Sequence, residues 1–253
     1  MASNIQVKTE TVEVSNGNFK LPAYLALPTD ADSDPAPVPA VVVLQEIFGV
    51  NAHIRDVTER LARLGYVAIA PALYHRQAPG FEAGYTAADV KLGRQYKVQT
   101  RADQLLGDIQ AALRYAQNLP QTRSGGAGCI GFCFGGHVAY LAATLPEVAA
   151  TAAFYGAGIT DTSLGPGEPT IACTSEINGI LYGFFGQEDD LIPLAAVDEI
   201  EAALERENVP HKIFRYADAG HGFFCDRRDS YRPTAAADAW EKTQTLFAQT
   251  LQP

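Results

Sequence analysis

The sequence predicts an α/β fold: a mostly parallel central sheet with helices on both faces and an antiparallel hairpin at one edge. Three observations carry that reading. Short strand-like runs recur at 41–44, 66–70, 127–131, 149–155 and 180–185, and the first, Val41-Val42-Val43-Leu44, is wholly apolar, the signature of a strand buried on both faces. Segments with helical periodicity lie between them, and this alternation means parallel strands joined by crossover helices. The chain has 253 residues, 47% hydrophobic and 19% charged, enough for one sizeable core. We read residues 1–253 as a single domain, with no internal repeat and no linker.

Residues 5–14 alternate as a strand does, Asn16-Gly17-Asn18 signals a turn, and 19–27 form the returning strand. Four prolines and three aspartates make 28–39 a loop. After the strand at 41–44, residues 51–64 read as a helix. Asn51 can cap it, Ile54, Val57, Leu61 and Leu64 share one face, and Gly65 ends it. The strand at 66–70 closes at Pro71. Residues 72–100 are Gly-rich without a clean period, a loop excursion with some helix. A stronger helix follows at 103–118, with Leu105, Leu106, Ile109, Leu113 and Ala116 as its stripe. A strand at 127–131 leads into a small-residue helix at 135–144. Then come a strand at 149–155, an irregular connection at 156–178, a strand at 180–185, a helix at 194–207, a strand at 211–216 and a closing helix at 234–251.

The formal net charge of -10 argues against nucleic acid or anionic membrane as partner, and an acidic substrate would need a local basic pocket. No apolar stretch approaches the roughly 20 residues that span a bilayer. The first residues lack the basic start and apolar run of a secretory signal, so the expected location is cytoplasmic. Cys129, Cys133, Cys173 and Cys225 are too sparse for a disulfide scaffold. No C-x-x-C pair occurs and the five histidines are scattered, so neither a metal nor a cofactor is expected. Gly126 to Gly131 matches G-x-G-x-x-G by spacing. It falls inside a strand rather than before a helix, which removes the dinucleotide reading.

The chemistry centres on Gly131-Phe132-Cys133-Phe134-Gly135-Gly136, a G-x-nucleophile-x-G pattern with Cys in the reactive position. It stands between a buried strand and a small-residue helix. The turn is tight, so a Cβ on either flanking glycine would strike neighbouring backbone. The helix N-terminus favours a thiolate. A thiol nucleophile needs a base, and the base needs an orienting acid. His221, between two glycines after the strand at 211–216, is the expected base. Asp189, after the strand at 180–185, is the expected acid, with Asp190 and Glu188 as rivals. One oxyanion donor should be the Phe134 N–H, and the other should come from the loop around Ile47. Glu46 in that loop is odd, because a carboxylate at an apolar strand end is costly unless partnered. His137 reads as structural. Phe81, Tyr85, Tyr155, Phe223 and Phe224 are candidates to wall a pocket.

These segments together resemble the dienelactone hydrolase family of the α/β-hydrolase fold. The resemblance rests on Glu46 within 45–51, on residues 73–80, on the Cys133 elbow, on Asp189 and on Gly220-His221-Gly222-Phe223, and runs from about residue 40 onward. It implies a Cys133–His221–Asp189 triad and oxyanion donors at Ile47 and Phe134. It also implies that Glu46 receives or orders the resting thiol proton and moves away when substrate binds. The implied reaction is hydrolysis of dienelactone (4-carboxymethylenebut-2-en-4-olide) to maleylacetate through a thioester, without a cofactor. Where the best-known members have an Arg four residues after the catalytic His, this chain has Cys225, and Arg227 or Arg228 could stand in. Arg94 lies near the position of a second substrate arginine. Arg76, Tyr85 and Phe223 complete the candidate substrate contacts. Pro71-Ala72-Leu73-Tyr74 departs from the Pro-Asp-Leu-Tyr of many members. A general small-ester hydrolase is the runner-up. A thiol peptidase or acyltransferase and a non-catalytic binding protein are the other readings. Monomer and weak homodimer both remain open.

Overall fold

The computed structural model describes residues 5–29 and 37–252. The chain opens with two long strands, β1 (Gln6–Asn16) and β2 (Phe19–Thr29), paired antiparallel across the Asn16–Phe19 turn. Then follow β3 (Ala40–Leu44), α1 (Ala52–Arg63), β4 (Val67–Pro71), α2 (Ala87–Lys97), α3 (Ala102–Gln117), β5 (Ala127–Phe132) and α4 (Phe134–Ala142). The second half runs β6 (Val148–Phe154), a 3₁₀ segment (Thr170–Glu176), β7 (Ile180–Gly186), α5 (Leu194–Arg206), β8 (His211–Tyr216) and α6 (Pro233–Leu251). The eight strands form one sheet in the order β1-β2-β4-β3-β5-β6-β7-β8. From β4 onward every neighbouring pair is parallel.

The apolar runs are buried because both faces of the sheet are covered. On β3, Val41 and Val43 share a core with Ile54, Val57 and Leu61 of α1 and with Ala239 and Leu246 of α6. Val42 and Leu44 point the other way, into a core with Ile109 and Leu113 of α3 and Val138 of α4. Asn51 caps α1 as expected, its side-chain oxygen accepting the Ile54 N–H at 3.3 Å. From β3 the chain steps to β4 on one side and then returns to place β5 on the other. The loops after β3 and β5 therefore diverge, and they open a crevice at the carboxyl ends of the strands.

The strands and helices expected from the sequence are present, with ends displaced by one or two residues. The loop expected at 28–39 lies largely outside the described residues. The largest difference is α2, within the stretch read as a loop with some helix. It escapes periodicity because Gly93 is its one buried residue, so it has no apolar stripe. Its start does carry a local signal. Thr86 and Asp89 form a reciprocal capping box. No helix among the described residues is long and apolar enough to cross a membrane.

Candidate active site

Cys133 sits at the tip of the turn between β5 and α4, with φ 55° and ψ -114°. A side chain in that region costs about 1–3 kcal/mol of strain. The turn is held by the Cys133 N–H donating to the Phe154 carbonyl at 3.0 Å and the His137 N–H donating to the Cys133 carbonyl at 3.1 Å. It is also too tight for side chains on either flank. A Cβ at Gly131 would lie 1.9 Å from the Gly135 carbonyl oxygen, and one at Gly135 would lie 2.3 Å from that of Leu44. The bend leaves Cys133 half-buried and facing a cleft of about 480 Å³. Phe134 opens α4, so its N–H has no acceptor within the helix. Ile47 lines the same cleft.

His221, on the loop after β8, faces the same cleft. Its Nδ1 lies 2.8 Å from Asp189 Oδ2. A carboxylate only accepts, so Nδ1 carries the proton. Asp189 is buried, and its other oxygen accepts the Leu191 N–H at 2.9 Å. Both carboxylate oxygens are therefore committed. His221 Nε2 is buried without a hydrogen-bond partner. Burial lowers the His221 pKa, but Cys133 and Asp189 outweigh it and push the value up to about 10. Tyr155 supports the imidazole edge-on, with ring centroids 5.2 Å apart.

Glu46 is fully buried at the end of β3. Arg228 Nη1 donates to its Oε1 at 3.1 Å, while Oε2 has no partner. Burial raises the Glu46 pKa, with Arg228 and then His221 pulling it back. Of the two arginines considered as substitutes at the Cys225 position, Arg228 reaches the cleft. Arg227 borders a separate depression with Asn51 and Tyr85. Arg94 of α2 lines the cleft, joined by Lys97.

Three further candidate contacts lie outside the cleft. Arg76 is a brace: Nε and Nη2 donate to Asp108 at 3.1 and 2.6 Å, and its guanidinium lies 3.6 Å over the Phe19 ring. This ties the β1–β2 hairpin to α3 and commits the Nε–Nη2 edge of the guanidinium to Asp108. Phe223 is core, packed on Tyr155 and Tyr216. Tyr85 stands edge-on to Phe48, its hydroxyl accepting from Asn51 and Cys225. Phe81 and Phe224 also pack on other aromatics. His137 is buried and bonded on both sides, Nδ1 to the Ala157 carbonyl and Nε2 to Thr170.

A model of the dienelactone hydrolase family matches residues 21–251. The chain belongs to the dienelactone hydrolase family. It is 53% identical over 248 residues to a protein of Synechocystis sp. (strain ATCC 27184 / PCC 6803 / Kazusa), provisionally named a carboxymethylenebutenolidase, covering 98% of this chain and 99% of that one. The carboxymethylenebutenolidase of Pseudomonas putida is 34% identical over 219 residues, covering 84% and 86%. The crystal structure of a provisionally named dienelactone hydrolase from Klebsiella pneumoniae superposes with a TM-score of 0.86 at 32% identity, covering 96% and 99%. This dienelactone hydrolase family member is thus an α/β hydrolase acting on carboxylic ester bonds.

Two features of the site escape sequence reading. Gln45 pins the Ile47 loop: its Oε1 accepts the Leu73 N–H at 3.0 Å and its Nε2 donates to the Glu46 carbonyl at 3.3 Å. A buried amide beside Glu46 at a strand end was the available signal. The other is α2, which lies on the Ile47 loop through Gly93. A Cβ there would sit 2.2 Å from the Ile47 carbonyl oxygen. Gly to Ala in a helix ordinarily stabilises by up to about 1 kcal/mol. Here Gly93→Ala is expected to destabilise by about 1–3 kcal/mol, through overpacking, and to shift α2 over the cleft. Urea unfolding checks the sign, and a gain in stability would contradict this packing.

Proposed function

We propose that this enzyme hydrolyses a small ester or lactone bearing a carboxylate, with dienelactone as the leading substrate and maleylacetate as product. The observation that carries this reading is charge. The cleft holding Cys133 and His221 is lined by Arg94, Lys97 and Arg228, the last paired with Glu46, and by one acid, Asp161, in a chain of net charge -10. Arg94 and Lys97 favour an anion in that cleft. The names carried by the relatives point the same way.

The steps follow from the geometry. The Cys133 thiolate, paired with the His221 imidazolium, attacks the lactone carbonyl carbon. The Phe134 and Ile47 N–H groups receive the oxyanion. The ring C–O bond breaks, the departing oxygen takes the His221 proton, and the acyl group stays on sulfur as a thioester. Water then gives a proton to His221 and attacks the thioester carbonyl. The C–S bond breaks and the thiolate returns. Asp189 holds the imidazole in its orientation, and Glu46 holds the Arg228 guanidinium in the cleft wall by their ion pair. A thiolate leaves readily, so small activated esters suit the site and unactivated amides do not.

The test separates substrate recognition from chemistry. Removing Arg94 and Lys97 together, both to Ala, is expected to raise KM for dienelactone by about 10-fold or more. KM for p-nitrophenyl acetate, which has no carboxylate, should stay within about twofold. Equal effects on both substrates would remove the carboxylate reading. The general small-ester reading would replace it. The His221 value of about 10 adds a pH signature. A raised imidazole pKa keeps the ion pair through neutral pH and loses it as pH rises through that value. The free-enzyme kcat/KM should therefore fall on the alkaline side near pH 10, and a limb near neutrality would contradict the pair.

A further inference from the structure

Glu46, His53 and Cys225 come from three segments far apart in sequence: the loop after β3, the first turn of α1 and the loop after β8. All three are buried, and each brings one metal-ligand atom to within 4.8 Å of the others. Two of them are unsatisfied. Glu46 Oε2 and His53 Nε2 are buried without any hydrogen-bond partner. Cys225 Sγ donates to the Tyr85 hydroxyl at 3.3 Å. Buried polar atoms are otherwise almost always paired, so two orphan atoms on residues gathered this closely call for a common partner.

We propose that Glu46, His53 and Cys225 form a binding site for a thiophilic divalent cation of the zinc class. One oxygen, one imidazole nitrogen and one sulfur are a zinc donor set, and three protein ligands leave a fourth position for water. Donors on one tetrahedral zinc stand about 3.3–3.7 Å apart, so each pair here needs to close by no more than about 1.5 Å. Arg228 uses Glu46 Oε1 and leaves Oε2 to the ion. The two anionic ligands balance the charge of the cation, with the Cys225 thiol proton released to solvent as the metal–sulfur bond forms. A route exists as well. A depression of about 280 Å³ has His53 in its wall, with Asp56, Asp226 and Arg60 beside it.

Cobalt(II) titrated into metal-free protein tests this, because a cobalt–thiolate bond gives a charge-transfer band in the near ultraviolet. The wild type and Cys133→Ala should both show the band, saturating at one ion per chain. Cys225→Ser should lose it, and His53→Ala should bind at least about 10–100-fold more weakly. Far-ultraviolet circular dichroism confirms that each variant is folded. No band in the wild type would overturn the site. A band that survives Cys225→Ser and vanishes in Cys133→Ala would also overturn it, placing the metal on the cleft sulfur. Cys133→Ala keeps this readout while removing hydrolysis, so the metal site and the proposed reaction fail separately.

Discussion

Cys133→Ala is expected to lower kcat/KM for ester hydrolysis by on the order of 10⁴-fold or more while leaving the fold intact. The loss is large because no neighbouring group can replace the sulfur. Cys173 and Cys225 do not line the cleft, and Cys129 is buried inside β5. The backbone has no reason to move, since alanine keeps the Cβ that already stands at positive φ. Cys133→Gly sharpens the point. Glycine relieves the strain at φ 55°, so that variant should be inactive and more stable by about 1 kcal/mol or more. Inactivity with a gain in the urea midpoint is what a strained reactive residue produces. A buried inert cysteine would lose stability and leave activity alone. Residual hydrolysis near the wild-type rate in Cys133→Ala would remove the thiolate mechanism.

Asp189→Asn should be nearly as damaging, with kcat falling by about 10²–10⁴-fold. The reason lies in the second oxygen. Leu191 N–H donates to Oδ1, so an asparagine must keep its carbonyl oxygen there and turn its NH₂ toward His221. An NH₂ cannot accept the Nδ1 proton. The imidazole is driven to the tautomer with its proton on Nε2, facing Cys133, and can no longer take the thiol proton. The same change removes one of the groups that raise the His221 pKa, so the alkaline limb near pH 10 should move downward. A packing defect would lower activity without moving that limb. An unchanged limb would therefore contradict the orienting role of Asp189.

The sheet was legible because its strands are buried on both faces. An apolar run such as Val41-Val42-Val43-Leu44 has no other explanation in a chain with helices between such runs. The Cys133 turn was legible because glycine is obligatory at Gly131 and Gly135, and each lies two positions from the residue it serves. The order of Asp189 and His221 followed from strand ends. The substrate contacts were not legible. Whether Arg76 or Arg228 meets the cleft depends on where a flexible loop points, and Arg76 is taken by Asp108 from another part of the chain. Lys97 stayed hidden because α2 buries almost nothing and so has no periodic signature. His53 and Cys225 look scattered in sequence, and only the fold brings them beside Glu46.

The most direct measurement is the mass of the acylated enzyme. Wild type mixed with excess p-nitrophenyl acetate, quenched in acid before turnover completes, and analysed whole and after digestion, should carry one acetyl group. That group should sit on the peptide containing Cys133, be released by hydroxylamine and be absent from Cys133→Ala. Continued hydrolysis with no such adduct, or an acetyl group on any other residue during turnover, would contradict a thioester at Cys133.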